Sequence, residues 1–163
     1  MDAIQALKTR RSIRVYASTP IPRPVLEDIV DCARLAPTAM NAQPWEFVVV
    51  TEPDKLRCLA DTTGHAKFLA DGPAGIVVLS KATDYYLEDC CAATENILVA
   101  AAAHGVASCW VAGEKQDYAP AICRLVGAPE GYRCVSIVSL GYPAEQPQIE
   151  KRTLADVLHW ESF

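Results

Sequence analysis

Long apolar runs, histidine and paired cysteine motifs are scarce in this chain of 163 residues, and each scarcity excludes a class of protein. No window holds the eighteen or more uninterrupted apolar residues that a membrane-spanning helix requires. The first residues, Met1 to Ile4, show no basic stretch followed by an apolar core, so no secretory signal peptide is expected. The formal net charge of −5 disfavours a nucleic-acid-binding surface. The sequence therefore predicts a soluble, cytoplasmic protein without membrane or nucleic-acid partners.

The seven cysteines form no C-x-x-C pair, and only three histidines accompany them. Because a zinc site needs closely spaced Cys or His ligands, no metal site is predicted. Most of the cysteines stand among apolar residues, which predicts buried thiols in a reducing compartment rather than a disulfide framework. The adjacent Cys90 and Cys91 leave a redox pair open as an alternative, which would require a lowered thiol pKa.

Against this acidic background, four cations stand within seven residues near the N-terminus: Lys8, Arg10, Arg11 and Arg14. Such crowding is repulsive unless an anion lies among the charges. Arginine presents a planar fork of donors that matches phosphate oxygens, and Ser12 can add a hydroxyl. A solvated basic turn at the end of a first helix would explain the same residues. The segment alone leaves both interpretations open.

Short apolar strands alternate with helical patterns along the chain. The patterns predict helices over Asp2–Thr9, from Pro24 to Ala36, from Asp54 onward, over Tyr86–His104, over Asp117–Val126 with Asp117 as N-cap, and over Thr153–Trp160. They predict strands over Phe47–Val50, Ile76–Leu79, Ala107–Ala112 and Cys134–Leu140. This alternation indicates one domain, residues 1–163, with an α/β or α+β sandwich fold. The helix Tyr86–His104 is almost free of charge, so we expect it to be buried, either centrally in the fold or at a subunit interface. A chain this short has little body to surround such a helix, which favours a dimer interface.

A second unusual segment runs from Pro37 to Trp45. Thr38, Asn41 and Gln43 offer hydroxyl and amide groups there, beside the apolar Met40. A helix-to-strand turn is the simplest explanation. Polar donors next to an apolar platform also suit the edge and face of a heteroaromatic ring.

Four segments together resemble the nitroreductase family of FMN-dependent oxidoreductases, and in particular its short members. They are Arg10–Arg14; Ala36–Trp45, which is similar to the family's A-P-S-x-x-N-x-Q-P-W loop with Thr38 in place of Ser; Gly105–Gly113; and Lys151–Trp160. The resemblance covers nearly the whole chain in the right order. Two departures accompany it. Only Ser80–Tyr85 stand where long members carry a helical excursion over the substrate pocket, and Glu150 replaces a common cation.

The resemblance implies an α+β fold, a nitroreductase-like α/β sandwich with a mostly antiparallel central sheet flanked by helices. It also implies an intertwined homodimer with two active sites at the subunit interface. The implied activity is an oxidoreductase with bound FMN, with NAD(P)H as transient reductant and a small-molecule acceptor such as a nitroaromatic or a quinone. Hydride transfer would be ping-pong, and no catalytic side chain is required because the chemistry takes place on FMN.

The resemblance further implies which residues bind FMN. The phosphate would be held by Arg10, Arg11, Ser12, Arg14, Lys151 and Arg152. The partner chain's loop would reach the ring with Pro37, Thr38, Ala39, Met40, Asn41 and Gln43, and Lys67 would contact the pyrimidine edge. Cys109, Trp110, Val111, Ala112 and Gly113 would lie beside the ring, with backbone N–H groups near Ala112 and Gly113 facing the reactive nitrogen.

Three alternatives remain open at the level of the sequence. The first is a related flavin-fold enzyme that performs reductive dehalogenation or fragments the flavin with oxygen. The second is a flavin storage or sensing protein without turnover, and the third is a structural dimerisation domain without cofactor. The chain has no G-x-G-x-x-G fingerprint, which fits a nicotinamide cofactor that does not stay bound.

Overall fold

The computed structural model describes residues 1–163 as five α-helices around one four-stranded sheet. The helices are α1 (Ala3–Thr9), α2 (Arg23–Ala33), α3 (Pro53–Thr63), α4 (Tyr86–Ala103) and α5 (Ala119–Leu125). The strands are β1 (Trp45–Val50), β2 (Ala74–Lys81), β3 (Ala107–Ala112) and β4 (Tyr132–Gly141). The sheet order is β1-β2-β4-β3, and every adjacent pair is antiparallel. The predicted α+β architecture with an antiparallel sheet is confirmed.

The sheet separates two hydrophobic clusters. One lies under α2 and α4 and includes Ile29 and Ile97. The other lies under α3 and α5 and includes Leu59 and Ile122. The central strands β2 and β4 are buried along nearly their whole length. Their burial on both faces explains why apolar residues occupy successive positions, as in Ile76–Leu79, and do not alternate with exposed polar residues.

The long helix α4 is central to the packing within one chain. Eight of its residues are buried. Its fully buried Thr94 hydroxyl lies 2.7 Å from the Cys90 carbonyl oxygen and 2.8 Å from the Ser136 hydroxyl on β4. These bonds satisfy two polar groups that would otherwise cost stability in the core. The predicted burial of this nearly uncharged helix is confirmed within one chain, whereas its place at a dimer interface stays a prediction.

Three predicted helix boundaries are wrong. Helix α2 ends at Ala33, and residues 34–36 continue only as a turn. Tyr118, not Asp117, precedes α5. The expected helix Thr153–Trp160 is a single 3₁₀ turn, Leu154–Asp156, closed by a capping box between Thr153 and Asp156. Residues 148–163 are all exposed, and an amphipathic pattern without a core to pack against does not sustain a short helix.

The cysteines are mostly interior, as predicted. Cys90, Cys109, Cys123 and Cys134 are buried, while Cys58 is exposed. Burial raises the pKa of Cys90 to about 11, and burial likewise raises the pKa of Cys91. The Cys90–Cys91 pair therefore lacks the lowered thiol pKa that a reactive redox pair requires. No helix of the structure combines the length and the apolar character needed to cross a bilayer.

Candidate functional site

The N-terminal basic segment lines a groove of about 960 Å³ that we call the basic groove. The groove runs from the end of α1 past the end of α4 to the C-terminal tail. Its charged lining consists of Lys8, Arg10, Arg11, Glu145, Glu150 and Lys151. Cations outnumber carboxylates there, although the whole chain carries a net charge of −5. The groove is thus a place where an anion relieves repulsion.

Arg10 is held in place by an ion pair with α4. Its Nε donates to Glu95 Oε1 at 2.9 Å, and the two side chains are 31% and 38% exposed. Because Nε is engaged, the terminal nitrogens of the guanidinium are the donors left for a ligand. Glu95 was not predicted from the sequence. Its only signal was that three acidic residues interrupt an otherwise uncharged helix.

The segment after Arg11 runs along the outer edge of β3, which is the edge that does not pair with β4. Ile13 N–H donates to the Ser108 carbonyl at 3.0 Å, and Ser12 forms a parallel bridge with Ser108. Since the peptide groups of an antiparallel edge strand alternate between inward and outward, those of Trp110 and Ala112 point away from β4 as Ser108 does. The edge of β3 therefore offers outward backbone N–H groups just beyond the basic segment.

Gly113 lies at the end of β3. Its N–H donates to the Val135 carbonyl at 3.0 Å, so this group is engaged within the sheet, and the expected contact of backbone N–H groups near Ala112 and Gly113 with a flavin stays a prediction. A Cβ at Gly113 would lie 2.7 Å from the Cys134 carbonyl oxygen. Glycine is therefore required because the end of β3 packs directly on β4. Cys109 and Val111 are buried and turn their side chains away from the surface.

Residues 38–43, which we call the site loop, form a strained connection before β1. Met40, Asn41 and Gln43 have φ angles of 53°, 54° and 46°, in the left-handed region that non-glycine residues rarely occupy. Such strain is typical of functional sites. The Met40 side chain is 88% exposed. Ala39 N–H donates to Oδ1 of the buried Asp89 on α4 at 3.0 Å.

Within one chain, the site loop and the basic groove are apart. The loop contacts α4 at Asp89, whereas Ala102 lines the groove. These residues are thirteen positions apart in α4, which corresponds to about 20 Å along the helix axis. The structure thus brings Arg10, Arg11 and Lys151 together and leaves the site loop elsewhere.

Other predicted residues lie outside the lining of the basic groove. The Arg14 guanidinium lies 5.7 Å from the centre of the Phe68 ring. Lys67 Nζ bonds to Asp61 Oδ1 at 2.8 Å, and this bond lowers the pKa of Asp61. Arg152 donates to the Asp156 carbonyl within the C-terminal turn.

Glu145 is a second residue whose role was not predicted from the sequence. Its Oε1 accepts the backbone N–H groups of Arg14 and Val15 at 2.8 and 3.2 Å. Ala144 N–H also donates to the Val15 carbonyl at 3.0 Å. These contacts join the segment after β4 to the basic segment across 131 positions, a separation at which no local pattern could reveal them. No group of three potential metal ligands exists in the structure.

The chain is a member of the nitroreductase family, whose sequence model matches residues 7–63 and 58–142. A candidate NADH dehydrogenase/NAD(P)H nitroreductase of Archaeoglobus fulgidus is 37% identical over 172 residues, covering 99% of both proteins. An iodotyrosine deiodinase of Haliscomenobacter hydrossis is 27% identical over 94% of this chain and 86% of its own length.

Two solved structures share the fold. An FMN-dependent nitroreductase of Clostridium difficile superposes with a TM-score of 0.92 at 28% identity, covering 98% of this chain and 99% of its own. A nitroreductase with bound FMN from Bacteroides fragilis superposes with a TM-score of 0.82 at 26% identity, covering 99% and 100%. The predicted family and the nitroreductase-like fold are confirmed, and the protein is an enzyme of this family.

Proposed function

We propose that the protein binds FMN in the basic groove and uses NAD(P)H to reduce nitroaromatics, quinones or similar small acceptors. The observation that carries this proposal is the placement of Lys8, Arg10, Arg11 and Lys151 around one groove beside the outer edge of β3. The nitroreductase with bound FMN and the relative named as an NAD(P)H nitroreductase support it.

The donor set of the groove fits FMN. A phosphate monoester carries about −1.5 to −2 charges at neutral pH, and the groove's cations would neutralise it with charge-assisted hydrogen bonds. The outward N–H groups of Trp110 and Ala112 are preorganised donors for the polar edge of a ring. When bound, FMN takes up electrons from a reduced nicotinamide and passes them to the acceptor. The chain's own residues bind and orient both partners.

Titration and reduction assays test the proposal. The purified protein, stripped of ligands, should bind FMN more tightly than riboflavin, because only FMN carries the phosphate that the groove matches. NADH or NADPH should then bleach the flavin absorbance under anaerobic conditions, and an added nitroaromatic or quinone should restore it. A protein that binds FMN but keeps its colour with both nicotinamides would instead be a flavin-binding protein without this activity. Failure to bind FMN would overturn the proposal altogether.

We also propose that the site is completed by a second copy of the chain. The separation of about 20 Å between the site loop and the end of the groove favours a loop that serves the partner's flavin. Large apolar side chains stay exposed on the single chain, among them Ile4, Leu7, Leu154, Val157, Leu158 and Trp160. Such a concentration of exposed apolar surface is typical of an interaction site. An isologous homodimer would cover it and create two equivalent sites.

A mixed dimer of Arg10→Ala and Asn41→Ala chains tests the shared site. If Arg10 and Asn41 of different chains serve one flavin, one site of the mixed dimer carries both changes and the other carries none. Titration should then find about one tight FMN site per mixed dimer. If each chain serves its own flavin, every site carries one change and no site of parental affinity should appear.

Reductive dehalogenation is the second candidate function, favoured by the similarity to an iodotyrosine deiodinase over 94% of the chain. Iodide release from an iodinated phenol by the FMN-loaded, reduced protein distinguishes the two functions. Fast nitroaromatic reduction without iodide release supports the first, and the reverse pattern supports the second.

A further inference from the structure

The contact between Asp89 and the site loop has a role that the proposed function does not include. The Asp89 bond to Ala39 N–H, 3.0 Å long, is the only hydrogen bond between residues 38–43 and the rest of the chain. The loop's other bonds are internal, such as Gln43 N–H to the Thr38 hydroxyl at 3.3 Å. Beyond the loop, the Pro44 carbonyl accepts Lys81 N–H at 3.2 Å, so the three left-handed residues lie between that bond and the single anchor at Asp89.

The burial of the Asp89 carboxylate lowers the stability of the fold. Asp89 is 5% exposed, and its Oδ2 is buried without a protein partner. A buried carboxylate with one satisfied oxygen destabilises a fold compared with a well-packed neutral residue. Side chains that break a packing rule in this way concentrate at functional sites. The geometry gives Asp89 one task, which is to hold the backbone at Ala39.

We propose that Asp89 is a positioning residue, which fixes the site loop through Ala39 N–H in the conformation that completes a flavin site. This inference rests on the proposed function, because it assigns the loop to flavin binding. A charge-assisted bond suits the task, since it is about twice as strong as a neutral one. The strain of the left-handed residues would otherwise relax, and the loop would lose its bound conformation before ligand arrives.

The test compares flavin affinities and amide exchange in a set of matched variants. Asp89→Ala should weaken FMN and riboflavin by the same factor, about tenfold or more, because the loop does not contact the phosphate. Asp89→Asn keeps an acceptor oxygen and should lose only about threefold. Hydrogen exchange at Ala39 should accelerate in Asp89→Ala and remain slow in Asp89→Asn.

A second variant removes the donor of the hydrogen bond between Ala39 N–H and Asp89. Ala39→Pro removes the donor and leaves Asp89 in place. Thr38 is already extended, with φ −135° and ψ 152°, which is the geometry that a residue before proline prefers. This variant should reproduce the affinity loss of Asp89→Ala, even if Asp89→Ala fails to fold.

Two controls separate positioning from general damage. Glu88→Ala removes an exposed charge from the same first turn of α4, and Thr94→Val removes buried hydroxyl bonds from the same helix. Both should keep parental flavin affinity. Parental affinity in Asp89→Ala or Ala39→Pro overturns the positioning role, as does an equal loss in Thr94→Val. A parent protein that binds neither flavin overturns the proposed function together with this inference, whereas a parent that binds FMN leaves the two separable.

Discussion

Replacing Arg10 by alanine tests the basic groove most directly. Charged hydrogen bonds contribute about 1.5–3 kcal/mol. We expect the lower end of that range, because the Arg10 side chain is 31% exposed and shares its Nε with Glu95. A loss of about 1.5 kcal/mol corresponds to roughly tenfold weaker FMN binding. Riboflavin binding should stay nearly unchanged, since riboflavin has no phosphate to lose.

The ion-pair partner of Arg10, Glu95, allows a second test of the same prediction. In Arg10→Ala the Glu95 carboxylate is left unpaired near the proposed phosphate position, although at 38% exposure water screens much of its charge. The double variant Arg10→Ala/Glu95→Gln removes that repulsion and should recover about two- to threefold of the FMN affinity. Fluorescence titration with FMN and riboflavin measures both effects.

The control is Arg57→Ala, which breaks a comparable ion pair on α3, 2.8 Å long, with Asp54, outside the groove. It should leave both flavin affinities unchanged. The reasoning is refuted if Arg10→Ala binds FMN like the parent protein. It is equally refuted if riboflavin weakens as much as FMN, because the defect is then not at the phosphate.

Three further outcomes are expected. Gly113→Ala should lower the free energy of unfolding by about 1–3 kcal/mol in urea titrations, because its Cβ would lie 2.7 Å from the Cys134 carbonyl oxygen. A free energy of unfolding equal to that of the parent protein would show that β3 and β4 can move apart at no cost. Burial raises the pKa of Cys134 to about 12 and that of Cys90 to about 11, so above about pH 9 the unfolded chain binds fewer protons than the folded chain, and the free energy of unfolding should fall as pH rises. In urea titrations between pH 8 and pH 10.5, Cys134→Ala should reduce this pH dependence. An unaltered pH dependence would contradict the raised pKa of Cys134. A thiol reagent at neutral pH should label the exposed Cys58 first and the buried Cys90 only on unfolding. Mass spectrometry of the parent protein and of Cys58→Ser measures this order. Early labelling of Cys90 would support a reactive Cys90–Cys91 pair.

The sequence predicted those parts of the fold whose patterns are set by burial within one chain. The ends of α4 and the bounds of β3 agree with the prediction to within a residue, because apolar runs bounded by turn residues specify a buried element. The tail from Thr153 to Trp160 shows the same apolar periodicity yet forms one turn. Periodicity indicates that a face is available for packing, and in a single chain nothing packs on this face.

The candidate site was predictable where its residues are neighbours in sequence. Arg10 and Arg11 line the groove together with Lys151, as their charge and the family resemblance indicated. Glu95 and Asp89 were not predictable, because each acts on a residue at least fifty positions away. Their acidic character within an apolar helix was visible, but its purpose depends on tertiary contacts.

The order of the strands in the sheet constrains how the chain can fold. The central pair joins β2 to β4, with Lys81 opposite Tyr132 and Ala74 opposite Leu140, so the pairing residues are 51 to 66 positions apart. Closing so long a segment costs entropy before the contacts form, and non-local pairing of this kind slows folding. During synthesis, β2 leaves the ribosome well before β4. Until β4 is made, the backbone groups on one edge of this apolar strand have no partner, which favours aggregation. A C-terminal truncation that ends before residue 132 would consequently remove β4, which is one of the two central strands of the sheet and not only an edge strand.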